Sequence, residues 1–246
     1  MSVLLIASLA PATFSAYGNA LSHYQQFHAV YYSNKPLLPI LPAQLAQFIT
    51  VCHHRPLQPS TITSYLPAIS YIHNIHGLPN PRDSFILQKL MKNLRRHQSR
   101  DKRQPFTLDS LKGLVSTLKT QVATGYDRLL FRAMFLLAFF GLLRVGEIAS
   151  SRQAIPNVIL RENILVHRTN KIATSIAIHL HHFKHSRGRS ATIHVSRQTL
   201  HRSICPVHAI LRYLQHTKHV HGPLFIHEFG QPVFKSTFCS VLQSCV

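Results

Sequence analysis

Residues 131–140 read FRAMFLLAFF, and no other stretch limits the possible folds so sharply. A helix that is apolar on almost every side has to be covered on almost every side. FLLAFFGLL is far shorter than the ~20 apolar residues of a membrane span, and arginines flank it, so a buried helix inside a folded core is expected and a membrane partner is not. With 246 residues and an apolar fraction of 46%, the chain is long enough to build that core, as one large or two modest domains.

The apolar run closes on GLLRVGE, which sets Arg144 and Glu147 three residues apart. That spacing puts both on one side of a short helix. From the residues alone, two readings stand: a local salt bridge, or a brace that aims a guanidinium at a phosphate. The charge balance bears on the choice. Against 27 Lys and Arg stand seven acidic side chains, a formal net charge of +20, which favours a polyanionic partner and nucleic acid above all. The excess is uneven. Residues 1–81 hold Lys35 and Arg55 and no acid, whereas Arg82 to Arg103 hold eight bases and two acids.

Hydrophobic spacing predicts helices over 12–32, 41–53, 60–76 and 84–98, a small bundle forming a first domain over 1–98. The third carries Ile62, Tyr65, Ile69 and Ile72 at helical spacing, with Pro67 expected to bend it. In the fourth, Ser84 is the expected cap and Ile86, Leu90, Met91 and Leu94 the buried face. Lys89, Lys92, Arg95 and Arg96 lie opposite. Residues 99–105, SRDKRQP, read as a basic linker that adds Arg100, Lys102 and Arg103 to the same flank. Backbone contacts to nucleic acid require only charge and reach, so these seven residues are candidate DNA contacts.

The second domain, 106–246, begins with a helix capped by Thr107, with Leu111, Leu114, Val115 and Leu118 on one face. A helix over 126–140 and a short one including Arg144 and Glu147 follow. From Asn163 the period changes: NILVH, TSIAIHL and SATIHV predict three strands of an antiparallel sheet, the last two joined by the basic loop HHFKHSRGR. Helical spacing returns at PVHAILRYLQH and VFKSTFCSVLQ. The fold class is mainly α with a small antiparallel β-sheet.

This order of parts, with GLLRVGE, PSTITSYLPAISYIHNIHG and FKHSRGRSATI, resembles the tyrosine recombinase (phage integrase-like) family, in particular the type carried by eukaryotic mobile elements. The resemblance implies an N-terminal helical, SAM-like core-binding domain that clamps DNA and a catalytic domain that cleaves one strand with a tyrosine, without a metal or other cofactor. It places the family's first active-site arginine on Arg144, the acidic residue on Glu147 and the strand-hairpin lysine on Lys184. Arg187 and Arg189 of the same loop become further DNA contacts. The chemistry agrees: a guanidinium fork can stabilise bidentately the charge that gathers on a phosphodiester's non-bridging oxygens. A carboxylate can orient the fork, and a loop lysine suits protonation of the leaving oxygen.

The pattern then breaks. The family's His-x-x-Arg motif and nucleophilic tyrosine are not found. His194 and Arg197 have the spacing but fall in and just beyond the third strand, and His208 and Arg212 miss it by one. The last of the eight tyrosines, Tyr213, comes too early for the nucleophile. The chain stops at Val246 where the family fold continues, so the expectation is a truncated, cleavage-incompetent recombinase that retains duplex DNA as partner, with a possible homo-oligomer on DNA. Two alternatives stay open: an active strand-exchange enzyme completed by a longer product or a partner, and a non-enzymatic chromosomal DNA-binding protein. The histidines at 179, 181, 182 and 185, with Cys205 and His208, lack finger-like spacing, so no metal is expected. Four sparse cysteines fit a reducing, intracellular setting, the start lacks a basic signal-peptide n-region, and a nuclear location follows from DNA as partner.

Overall fold

The computed structural model describes residues 8–96, 104–151, 158–181, 183 and 189–246. The chain divides into two compact units, residues 1–103 and 104–246, each with its own hydrophobic core.

The first unit is helical: α1 (Pro11–Tyr31), α2 (Pro42–His54), α3 (Pro59–Ile75) and α4 (Phe85–Arg96). Proline occupies the start of α1, α2 and α3, where the missing N–H costs no helical hydrogen bond. Tyr24, Phe27, Phe48 and Tyr65 form an aromatic layer, joined by Leu45, Ile62, Leu66, Ile69 and Leu87. Helix α3 runs through Pro67 as one element. Fully buried His73 on α3 ties two loops to the bundle. Its Nε2 accepts from the Ile40 N–H at 3.1 Å, and its Nδ1 lies 2.7 Å from the Pro79 carbonyl oxygen.

One core expectation is corrected here. Ile86 is 57% exposed, and Leu87 is the buried residue, at 1%. The buried seam of α4 is Leu87, Leu90, Met91 and Leu94, an i, i+3, i+4, i+7 stripe, and Ile86 lies about a hundred degrees off it. Ser84 caps the helix as expected, its Oγ accepting from the Leu87 N–H at 3.4 Å.

The second unit holds α5 (Leu108–Gln121), α6 (Gly125–Phe140), the four-residue α7 (Val145–Ile148), β1 (Ile164–Thr169), β2 (Ile172–Leu180), β3 (Ala191–Ser196), α8 (Pro206–His216) and α9 (Lys235–Cys245). Thr107 and Thr124 cap α5 and α6 through their hydroxyls. The apolar run is the heart of α6: Leu130, Phe131, Ala133, Met134, Phe135, Leu136 and Leu137 are all buried, covered by α5 and α8, with Phe238 of α9 set edge-on against Phe135. The sheet is antiparallel in the order β1-β2-β3. Its first two strands run further than expected and meet in a two-residue turn, Asn170–Lys171, with both residues at positive φ (50° and 65°). That is the primed-turn geometry that matches strand twist. Among the described residues, no helix is long and apolar enough to cross a membrane.

Candidate functional site

The end of α6 positions Arg144. Gly141 follows the helix because a Cβ there would lie 2.8 Å from the Leu137 carbonyl oxygen. Leu142 then takes φ +50°, and the Leu143 N–H reaches back to the Ala138 oxygen at 3.0 Å, closing the helix as a Schellman turn. The turn throws the next residue into extended backbone. Arg144 is therefore the N-cap of α7 (φ −75°, ψ 151°) and not part of it, which corrects the expectation of a helix containing both Arg144 and Glu147.

The pair is nevertheless formed. Glu147 Oε2 accepts the Arg144 backbone N–H at 2.8 Å, and Oε1 accepts from the guanidinium Nη1 at 3.2 Å. The carboxylate is buried, with 8% of its side chain exposed, while 58% of the Arg144 side chain faces solvent. One carboxylate thus holds both ends of the arginine, while the guanidinium is largely exposed and has no other hydrogen-bond partner among the described residues. A plain surface ion pair would expose both partners.

One further basic side chain reaches the α7 turn from α9. Ser150 donates its N–H to the Val233 oxygen, and its carbonyl accepts from the Lys235 N–H, both at 2.9 Å, which pins the start of α9 against α7. Lys235 consequently lies over Gly146, its Nζ 3.2 Å from the position a Cβ would take. Lys235 is exposed, and no carboxylate among the described residues pairs with it. The one sequence signal that could have singled it out is its place in the first turn of a helix, where a lysine opposes the helix dipole.

Of the other residues singled out, Lys184 and Arg187 lie outside the described residues, as do Arg100, Lys102 and Arg103. Arg189 is exposed just before β3. Lys89, Lys92, Arg95 and Arg96 are exposed on α4. Lys92, Arg95 and Arg96 line a cavity of ≈ 580 Å³ together with Arg82, which lies in the 3-10 turn Pro81–Asp83 and is outside the sequence-based candidates. Arg82 is steadied by a 3.4 Å bond from Nη1 to the Ser70 hydroxyl, itself bonded to Asn80. Lys89 turns aside, its ammonium 4.8 Å from the centroid of the exposed Phe85 ring.

His194 sits within β3 opposite Ala177, and Arg197 is held by the sheet, its Nη1 donating to the Ala173 oxygen at 3.3 Å. The two tyrosines of residues 104–246 are structural. Tyr213 is fully buried with its phenol bonded to the Leu224 and Ile226 oxygens, and burial pushes its pKa far up. Tyr126 donates to the same Ile226 oxygen at 2.9 Å. Both hydroxyls are thus committed to backbone carbonyl oxygens. His179 is bonded to the Thr192 hydroxyl, His182 and His185 lie outside the described residues, and no three potential metal ligands converge among the described ones.

No protein-family model matches this chain, and no curated protein matches it in sequence. Solved structures do. A fragment of the Tn1549 transposon integrase, solved in complex with transposon right end DNA, is similar with a TM-score of 0.54 at 15% identity, over 95% of this chain and 73% of that one. A XerA recombinase is similar at 13% identity over 97% of this chain and 72% of that one, but its TM-score of 0.33 is too low to carry an argument. The fold is therefore tyrosine-recombinase/integrase-like: mainly helical, with a three-stranded antiparallel sheet.

Proposed function

We propose that this chain is a duplex-DNA-binding protein of the tyrosine-recombinase type in which Arg144, braced by Glu147, holds a backbone phosphate. The observation that carries this reading is the asymmetry of the pair, a buried carboxylate under an outward guanidinium. A fork held at both ends loses little further freedom on meeting an oxyanion and can offer two parallel donors to it. Lys235, lying over Gly146 of the same short helix, adds a second positive charge to the corner. The first unit acts as the clamping, core-binding domain, with Arg82, Lys92, Arg95 and Arg96 following the backbone and Lys89, Arg100, Lys102 and Arg103 extending the charge. Residues 106–246 act as the recombinase-type domain that carries the Arg144 site, with Lys184, Arg187 and Arg189 of the β2–β3 loop as further DNA contacts. The integrase likeness and its DNA complex support this partner, and a nuclear location belongs to the same proposal.

Strand cleavage by this polypeptide alone is not part of the proposal, because both tyrosines of residues 104–246 are committed to backbone carbonyls. A second reading has one observation in its favour. The Arg144–Glu147 geometry is intact, as it would be in an active strand-exchange enzyme whose nucleophile comes from another polypeptide. The two are separated by incubating the protein with a nicked suicide duplex in a cell extract that can supply the missing nucleophile. The first reading expects binding and no covalent protein–DNA adduct that depends on this chain, and an adduct formed only when the chain is added, and lost with Arg144→Gln, would establish the second. The shared claim of DNA binding is tested by a salt titration with a labelled duplex. Affinity should be micromolar or tighter and fall about 10³-fold or more between ~50 and 200 mM salt if six or more phosphates are contacted. A salt-independent affinity would refute it.

A further inference from the structure

A second cationic site lies in the same unit and shares no residue with the Arg144 pair. Helices α5, α6 and α8 and the short turn Arg202–Ile204 enclose a groove of ≈ 910 Å³. Lys119, Arg132 and Arg212 line it, one from each helix, with Glu228 as its one carboxylate. The other Lys and Arg side chains of the groove are already engaged: Lys112 with Asp109 at 2.9 Å, and Arg128 with the Val122 and Ala123 carbonyl oxygens.

Arg132 is the unusual member. It is half-buried at the middle of α6, and one Nη2 donor goes to the Ser203 carbonyl oxygen at 2.6 Å. Its Nε is buried and has no hydrogen-bond partner among the described residues. Burial, and next to it the charge of Arg212, pull its pKa below the ordinary arginine value. Burial first, and then the charges of Arg132, Arg212 and Arg197, depresses the pKa of His208, one turn before Arg212. Among the described residues no carboxylate lies within ion-pair distance of Lys119, Arg132 or Arg212, and Glu228 is exposed without an ion-pair partner of its own.

Two guanidiniums gathered at a half-dry site with no carboxylate in ion-pair reach among the described residues destabilise each other, and an orphaned buried donor adds to the cost. Such a site is relieved by a ligand that brings compact negative charge and several acceptor oxygens. We infer that the groove between α5, α6 and α8 is a binding site for a phosphate-bearing ligand, with Arg132 at its floor and Arg212 and Lys119 at its rim. Phosphate satisfies more guanidinium donors than a carboxylate can, having a third oxygen for the rim lysine. The site stands about 12 Å along α6 from the helix end that positions Arg144. It is therefore a separate anion site and does not depend on the DNA-binding reading. Its phosphate belongs either to a further stretch of nucleic-acid backbone or to a free polyphosphate.

The test uses the full chain with inorganic pyrophosphate as probe, in buffers matched for ionic strength with chloride. Pyrophosphate should raise the melting temperature by on the order of 5 °C when present at a large excess over its dissociation constant. Arg212→Gln, at an exposed position that leaves the core untouched, should weaken pyrophosphate binding at least tenfold in calorimetry, and Lys119→Gln by less. Lys171→Gln, on the β1–β2 turn, should leave it unchanged. A rise no larger than that of the chloride control, or one retained in full by Arg212→Gln, would overturn the site. A labelled duplex then identifies the source. If backbone phosphate occupies the groove, Arg212→Gln also lowers the salt slope of DNA binding by about one. If a free polyphosphate does, pyrophosphate binding falls while duplex binding is unmoved. Failure of duplex binding as a whole would count against the proposed function and leave the pyrophosphate result standing.

Discussion

Helix α4 of the first unit and the α6–α7 corner of the second both present arginine to solvent, by opposite means. On α4, Lys92, Arg95 and Arg96 are carried on an exposed helix face and held by no carboxylate among the described residues. At the corner, a single guanidinium is tethered at backbone and side chain by a buried glutamate. The first region supplies charge in quantity with little geometry. The second supplies one charge with its geometry set in advance. Nonspecific attraction to a polyanion needs the former; recognition of one phosphate among many needs the latter.

The largest effect should separate them by amount. Changing Lys89, Lys92, Arg95 and Arg96 together to glutamine is expected to cut duplex affinity about 10²–10³-fold at low salt. It should lower the salt slope by about 0.9 for each phosphate that the variant no longer neutralises, equally for every DNA sequence. Arg144→Gln alone should shift the slope by no more than about one. Fluorescence anisotropy across a salt series reads both. If the single change costs as much as the fourfold one, the division of labour is wrong.

Stability should separate them in the other direction. Glu147→Ala removes a buried acceptor that serves both the Arg144 N–H and its guanidinium, and should cost about 1–3 kcal/mol in urea unfolding of the second unit. Glu147→Gln keeps a carbonyl acceptor and should lose less. Lys92→Gln on α4 should fall within about 0.5 kcal/mol of the parent, as exposed changes away from such features do. Leu142 sharpens the contrast. It is 90% exposed yet held at φ +50°, where a side chain costs about 1–2 kcal/mol. Leu142→Gly should therefore stabilise the unit by about 1 kcal/mol. No gain would mean that the greater unfolded-state freedom of glycine cancels the relieved strain.

These residues also mark what can be read without coordinates. The apolar run, the caps at Thr107 and Ser84 and the three strands are legible because period and capping chemistry are local. The Arg144–Glu147 pairing is legible from its spacing, but not the placement of Arg144 outside the helix, which depends on Leu142 adopting a conformation usually reserved for glycine. Ile86 fits the buried face on paper because one residue's shift in helical phase is invisible to a pattern of apolar letters; packing against α2 and α3 decides it. Lys235 and the Arg132–Arg212 cluster join residues some ninety and eighty positions apart in sequence, and no local pattern can bring such residues together.

The smallest expected effect concerns pH, and it tests whether the second unit is strained by its own charge. His208 has its pKa lowered by burial and by Arg132, Arg212 and Arg197; His219, with its Nε2 3.0 Å from the Pro223 oxygen, has its pKa lowered chiefly by burial. A histidine with a depressed folded-state pKa binds its proton more readily when unfolded, so stability is fully present above the ordinary histidine value of about 6.5 and declines as pH falls through the folded-state value. Urea midpoints of the second unit should therefore drop between about pH 7 and 5, while His208→Gln should flatten part of that slope. Bound pyrophosphate should flatten the same part, because an anion between Arg132 and Arg212 cancels the field that disfavours the imidazolium. A pH slope untouched by either change would mean that the arginines do not act on His208, and would weaken the case for an uncompensated charge in the groove.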